Sequence, residues 1–316
     1  MGFFVFETVS GWLCVVNQST SEEYRQLSLV SVIVPTFDAI ETVGQQLDAL
    51  AGQDYDGAYE VIVSDNGSVD GLREWLRARL GADEQAVRYV DASGSAGVSH
   101  ARNVGAAHSS GELLAFCDAD AVVRSAWLRE LVETASTADL VSGSLDTSVI
   151  NSEAAYSRRP LRPSLHGFET DFLPYAPGCN FGVWAEVFRA VHGFDEAMTD
   201  GGEDIDFSWR VQLAGYRMAH AGAAIVDYRL RCTVLQFWSQ VRRYAVGDVQ
   251  LYSAYRQYGF TGVSVTVFAG HVMRLLVTNP AVPQALSRSP RGQWVGAAAV
   301  VAGHLQGSIR YRTLFL

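Results

Sequence analysis

Two carboxylates one residue apart close an apolar run at Phe116-Cys117-Asp118-Ala119-Asp120. Negative charge at the end of a buried strand is unfavourable unless something positive meets it. In an extended or turning backbone, residues i and i+2 project to the same side. Asp118 and Asp120 can therefore face one hard, oxygen-preferring cation such as Mg2+ or Mn2+, and through it a phosphate-rich substrate. The competing reading is a strand-end turn with solvated carboxylates. A second acidic pair, Glu203-Asp204, follows Gly201-Gly202 and opens a stretch of helical periodicity that stops at Gly215. Negative charge is favoured at a helix N-terminus, so capping is the alternative to chemistry there.

The elements needed to position these residues are legible upstream. Leu29-Val30-Ser31-Val32-Ile33-Val34-Pro35 reads as a buried parallel strand. Further strands are predicted over 59–64, 87–90 and 112–117, with helices over 40–50, 70–80, 98–107 and 205–214. This alternation predicts an α/β fold: a doubly wound, mostly parallel central sheet flanked by helices. Ligands sit beyond the carboxyl ends of strands in such sheets. Asp38, Asp65, Asp118 and Asp120 all fall just after predicted strand ends. Beyond about residue 140 the pattern becomes irregular.

The chain has 316 residues, 48% hydrophobic, with a formal charge of -10. That size buries a substantial core. The acidic balance argues against nucleic acid as the partner, which requires a basic surface. It leaves room for a nucleotide held by a metal and a few local groups. Cys14, Cys117, Cys179 and Cys232 show neither metal-ligand nor disulfide spacing, which favours a reducing, cytoplasmic setting. The expected organisation is an N-terminal extension over 1–28, a main domain over 29–245 and an apolar, mainly helical region over 246–316. The apolar stretches 2–16, 262–277 and 294–303 are short or interrupted, so core packing or contact with a membrane surface is expected rather than a span.

Five ordered segments resemble a known family: Ser31 to Phe37, Val63 to Asp70, Ala101-Arg102-Asn103-Val104-Gly105, Phe116 to Asp120 and Gly202-Glu203-Asp204-Ile205-Asp206. Together they look like the inverting family 2 glycosyltransferases of GT-A fold, over roughly residues 29–245. Each motif is weak alone, and the ordered set is specific. The resemblance implies a nucleoside-diphosphate sugar as donor, a divalent metal, and a hydroxyl of a glycan or lipid-linked molecule as acceptor, with work at the inner face of the plasma membrane. It implies donor contacts from Pro35, Thr36, Phe37, Asp65, Arg102, Asn103, Asp118 and Asn180, with Asp65 on the base and Arg102 and Asn103 near the diphosphate. It implies Asp118 and Asp120 at the metal, Asp204 as general base and Glu203 as its support. Asp65 can equally hold its own turn, and Arg102 can equally be a solvated helix residue. The chain departs from the family at Asp38, where Asn is usual, and at Asp227-Tyr228, where a His often completes the metal site. Either Asp227 serves there as an oxygen ligand, or Asp120, phosphates and water suffice.

Two other readings compete. A nucleotidyltransferase would need a basic, Gly-rich loop after the first strand, and Pro35-Thr36-Phe37-Asp38 is not one. A catalytically silent nucleotide-sugar-binding protein of the same fold stays open.

Overall fold

The computed structural model describes residues 27–80, 87–262, 265–277, 279 and 291–315. The expected extension over 1–28 therefore lies almost wholly outside the described residues, as does Cys14.

β1 (Val30–Thr36) is buried at all seven positions, as its β-branched composition demands. It pairs in parallel with β2 (Tyr59–Asp65) on one side and β4 (Leu113–Cys117) on the other. The β4 ladder ends at Ile33–Phe116. Pro35 therefore lacks an N–H where no neighbour on that side needs one. β3 (Val87–Asp91) extends the parallel block beyond β2.

The other half is mixed. β7 (Asn180–Trp184) lies antiparallel between β4 and β6 (Leu140–Asp146). β8 (Met218–Asp227) runs parallel to β6, and the short β5 (Val122–Val123) closes the edge antiparallel to β8. The order is β3-β2-β1-β4-β7-β6-β8-β5. The sheet is thus mostly parallel, as expected, with β7 and β5 reversed.

Helices α1 (Ile40–Ala51), α2 (Leu72–Leu80) and α3 (Val98–Ala107) connect the first four strands. α4 (Trp127–Ala135), α5 (Glu153–Tyr156) and α6 (Ala185–Ala190) follow. α7 (Glu203–Leu213) begins at the second acidic pair and leads into β8. Phe116, Phe181, Phe188, Phe194 and Phe207 pack under the centre of the sheet, with Phe116 and Phe181 stacked at 4.4 Å.

α8 (Val234–Tyr255) starts with a capping box, Thr233 and Gln236 satisfying each other's backbone donors. It runs unbroken through position 245. The boundary expected at 245/246 therefore falls inside a helix, which carries the main domain into α9 (Val265–Val277) and α10 (Arg291–Arg310).

Candidate active site

The first two strand-to-helix turns are tied to each other. Asp65 is buried, and its Oδ1 accepts from the Ser68 N–H at 2.9 Å and the Ser68 hydroxyl at 2.5 Å. Its Oδ2 accepts from the Tyr89 hydroxyl at 2.8 Å. Both oxygens are occupied, so the turn-holding role is realised. Burial, then the bond to Asp65, pushes the Tyr89 phenol up to about 12. Asp38 finds its reason here. At φ 45° it accepts the Val69 N–H at 2.8 Å, while its own N–H donates to Ser68 Oγ. Thr36 is buried, its hydroxyl on the Val34 carbonyl, and Phe37 is 62% exposed beside it. Asn66 orders the Gly-rich loop: its amide donates to the Ala92 and Ser95 carbonyls, and its Oδ1 accepts from Gly97 N–H. Gly97 is the N-cap of α3, so this clasp aims the helix N-terminus.

Arg102, in the second turn of α3, is the centre of the site. It is 3% exposed. Its Nη1 donates to Glu203 Oε1 at 3.0 Å and its Nη2 to Asp118 Oδ1 at 3.3 Å. The guanidinium lies 5.2 Å from the Phe194 ring centroid. Burial disfavours its charge, and Asp118, Glu203 and Asp204 more than restore it. The reading of Arg102 as a solvated helix residue is overturned: this one side chain joins the β4 carboxylate to the α7 carboxylate.

Asp118 follows β4 directly. Burial pushes its carboxyl up to about 6, against the pull of Arg102, with Asp120 and Glu203 adding to the rise. Asp120 Oδ2 accepts from Arg231 Nη1 at 3.3 Å, and the Asp120 carbonyl accepts from Arg229 Nε at 3.0 Å. Asp118 Oδ2 and Asp120 Oδ1 carry no hydrogen bond from the protein among the described residues. Two hard oxygens on one short turn suit a divalent cation. No group of three or more His, Cys, Asp or Glu is placed to hold a metal among the described residues. A cation there would take its other ligands from diphosphate and water. Asp227 does not supply a third: its carboxylate is held by Arg124, with contacts of 2.6 and 3.2 Å, beside Asp146.

Asp204 opens α7. Gly201 and Gly202 precede it at φ 102° and 82°, a backbone that only glycine adopts cheaply. Asp204 Oδ2 accepts from Gly178 N–H at 2.8 Å and Oδ1 from Ile205 N–H at 2.9 Å. Burial, then the adjacent Glu203, pushes its carboxyl up to about 6, with the Gly178 bond and Arg102 opposing. A Cβ on Gly178 would lie 2.7 Å from Arg102 Nη2, so the glycine permits both contacts at once.

Two residues expected at the donor lie elsewhere. Asn180 is fully buried in β7: Oδ1 accepts from Trp127 Nε1, and Nδ2 donates to the Ser144 and Ala224 carbonyls. Nothing is left for a sugar. Asn103 exchanges two bonds with the Phe194 backbone and donates to Glu196, tying α3 to the 193–196 turn. Pro35 is buried within β1.

Two cavities meet at these groups. One, about 390 Å³, is lined by the α3 N-terminus with Arg102, Asp118, Arg231 and Arg243. The other, about 240 Å³, is lined by Asp204 with Arg159, Phe168 and Tyr175. Glu203, Tyr228 and Tyr244 line both. The first combines helix N–H groups with three guanidinium groups, which suits a diphosphate. The second sets a carboxylate against aromatic rings. Buried Cys117 and Cys179 are pushed up as thiols by burial, so neither is a nucleophile. Sequence reasoning missed Arg159 and Arg231. Only Arg229-x-Arg231, spaced like the Asp-x-Asp it meets, carried a signal.

The family model described as Glycosyl transferase family 2 matches residues 31–191, and a second, Glycosyl transferase family group 2, matches 113–302. Among curated proteins, the chain is 32% identical over 199 residues to Glycosyltransferase AglE of Haloferax volcanii, 62% of this chain and 65% of that one. It is 28% identical over 219 residues to the pre-mycofactocin glycosyltransferase of Mycobacterium tuberculosis, 66% of this chain and 44% of the relative. The chain thus spans less than two thirds of the length of these relatives. A mannosyltransferase of Pyrobaculum calidifontis, solved with GDP-Man and Mn2+, superposes with TM-score 0.63 at 20% identity, covering 90% of this chain and 88% of that one. GalNAc-T7, solved with UDP, GalNAc and Mn2+, gives 0.53 at 17% identity over 73% of this chain and 51% of that one. The architecture is GT-A. With one family model covering just over half of its length, the chain belongs to glycosyl transferase family 2.

Proposed function

We propose that the chain transfers a sugar from a nucleoside diphosphate to a hydroxyl of a glycan or lipid-linked acceptor, with inversion at the anomeric carbon. The observation that carries this reading is the Arg102 bridge between Asp118 and Glu203, which puts a diphosphate cavity and a base-bearing cavity on one wall. The α3 N-terminus, Arg231 and Arg243 bind the diphosphate. Asp118 and Asp120 hold a divalent cation, which when bound neutralises charge gathering on the departing diphosphate. The mannosyltransferase neighbour carries GDP-Man and Mn2+.

Asp204 takes the proton of the acceptor hydroxyl as that oxygen bonds to the anomeric carbon. The bond from carbon to phosphate oxygen breaks on the opposite face, and the nucleoside diphosphate leaves with the electron pair. A group titrating near 6 is unprotonated at neutral pH and basic enough to accept a proton. The backbone N–H groups of Gly178 and Ile205 fix its orientation. Tyr228 and Tyr244 close the wall between the cavities. Contact with a membrane surface belongs to this reading; no helix among the described residues is long and apolar enough to cross one.

The test has two arms. Nucleoside diphosphates are screened by thermal shift with and without Mn2+, which fixes the base and reads metal coupling. Transfer is then followed with the matching sugar donors for the wild type, Asp204→Asn and Asp120→Ala. Loss of transfer in both variants supports the reading. Retention in either removes that residue's role, and metal-dependent nucleotide binding without turnover in the wild type selects the silent binding protein.

A further inference from the structure

The charge of this chain is segregated along its length. All 34 Asp and Glu residues, with eighteen of the 24 basic residues, lie before Val249. The last 68 residues carry six arginines (Arg256, Arg274, Arg288, Arg291, Arg310 and Arg312) and no acidic residue. A protein of net charge -10 thus ends in a segment of +6. That segment is also where apolar surface is left uncovered. Nine of the seventeen exposed large apolar side chains among the described residues fall in it.

α9 concentrates this surface. Ala269, Val272, Met273 and Leu276 recur at i, i+3, i+4 and i+7, one stripe of a helix, and all four are exposed, Met273 at 59% and Leu276 at 62%. Val277 continues the stripe. Phe268 and Leu275 lie on another face and are half-buried, and the Leu275 carbonyl accepts from Trp294 Nε1 of α10. The helix therefore packs through one face and, among the described residues, leaves an apolar stripe uncovered. An exposed apolar stripe in a wholly basic segment fits an anionic, apolar-centred surface, and neither property alone selects one. The 13-residue α9 is too short to cross a bilayer, so it would lie along the surface.

We propose that α9, through Val272, Met273, Leu276 and Val277 and with the arginines of the C-terminal segment other than Arg310, which pairs with Asp200, docks this protein on a membrane surface rich in anionic lipid. The anionic headgroups meet the arginines while the stripe enters the acyl boundary. α8 connects this surface to the active site: its Arg243 and Tyr244 line the diphosphate cavity, and the same helix packs along α10 through Val249 and Gly307. The docking rests on the membrane-surface contact of the proposed function and not on the transfer chemistry, and its test reads no turnover.

The purified full chain is floated with phosphatidylcholine vesicles and with vesicles also containing phosphatidylglycerol, at low and high salt, and its mass is followed by light scattering. The chain should float with the anionic vesicles at low salt, weaken at high salt and stay behind with phosphatidylcholine alone. Met273→Glu combined with Leu276→Glu, on an exposed face, should abolish flotation without shifting Tm. Arg312→Glu should lower partitioning by more than about fivefold, since each basic residue near such a surface contributes roughly that factor. Equal binding to both vesicle types overturns the anionic specificity. Flotation that survives the α9 substitutions assigns the contact to another part of the chain. Absence of flotation, with a salt-sensitive dimer that the α9 substitutions dissociate, assigns the stripe to a second copy and overturns the proposal.

Discussion

Arg102 is the most informative residue to perturb. Arg102→Met keeps most of the packing against Phe194 and removes the guanidinium. Asp118 Oδ1 and Glu203 Oε1, held at 3.3 and 3.0 Å, then lose their shared cation. At an effective dielectric of about 20, each such pair is worth roughly 5 kcal/mol before desolvation. The guanidinium is 3% exposed, so its own desolvation offsets much of that. Removing one member of a buried pair costs about 3–5 kcal/mol, mostly because the partner is stranded. The Asp118 and Glu203 side chains retain 28% and 14% exposure, which places the expected loss near the low end, about 3 kcal/mol. The control is the same substitution in an Asp118→Asn, Glu203→Gln background. No charge is stranded there, and the loss should fall to about 1 kcal/mol. Urea unfolding of the four proteins at pH 7 gives a coupling of about 2 kcal/mol. A coupling under about 0.5 kcal/mol would mean that solvent already screens the two carboxylates and that Arg102 does not bind the two halves of the site together.

Five further outcomes are expected. Transfer should fall about tenfold per pH unit below the Asp204 value of about 6, and log kcat against pH checks it. The same raised value makes the protonated carboxyl the form that folding favours, so through this group stability grows as pH falls from 7 and is lost as pH rises through 6. Gly178→Ala should push the guanidinium aside, lowering kcat and costing about 1–3 kcal/mol in urea unfolding. Asp120→Asn should weaken Mn2+-dependent nucleotide binding at least tenfold by calorimetry, while binding without metal changes little. Asn180→Ala strands the Trp127 indole and two carbonyls in the core. It should cost about 2–4 kcal/mol and leave the donor KM of the folded fraction unchanged.

Much of the donor half could be read from local pattern. β1, α1 and α3 follow from runs of β-branched residues and helical spacing, and their ends fall within a residue of expectation. The strand-end carboxylates were visible because a parallel sheet dictates where its ligands go. What escaped was decided by partners distant in sequence. Asn180 sits between Cys179 and Phe181, where nothing local signals its role, and its three partners lie 53, 36 and 44 residues away. Arg231 meets Asp120 across 111 residues. Asp227 resembled a spare metal ligand until Arg124 was placed on it. Reversal of β7 was equally invisible, since a buried antiparallel strand between two others carries the same apolar run as a parallel one.

In the first turn of α7, environment rather than residue type singles out the carboxylate that fits the proposed base. Glu203, Asp204 and Asp206 all stand where the helix dipole favours negative charge. Asp206 is 6% exposed, accepts from the Tyr255 hydroxyl at 2.6 Å and pairs with Arg210 at 2.8 Å. It is a packing element. Glu203 is held by Arg102, and protonating it would break the bridge to Asp118. Asp204 lines a cavity as Glu203 does, but it has no guanidinium partner and is oriented by neutral N–H donors that survive its protonation. A general base must take and release a proton without dismantling its own support. Of the three, only Asp204 can. If Asp206→Asn abolished transfer with unchanged stability while Asp204→Asn retained it, this reasoning would fail at its first step.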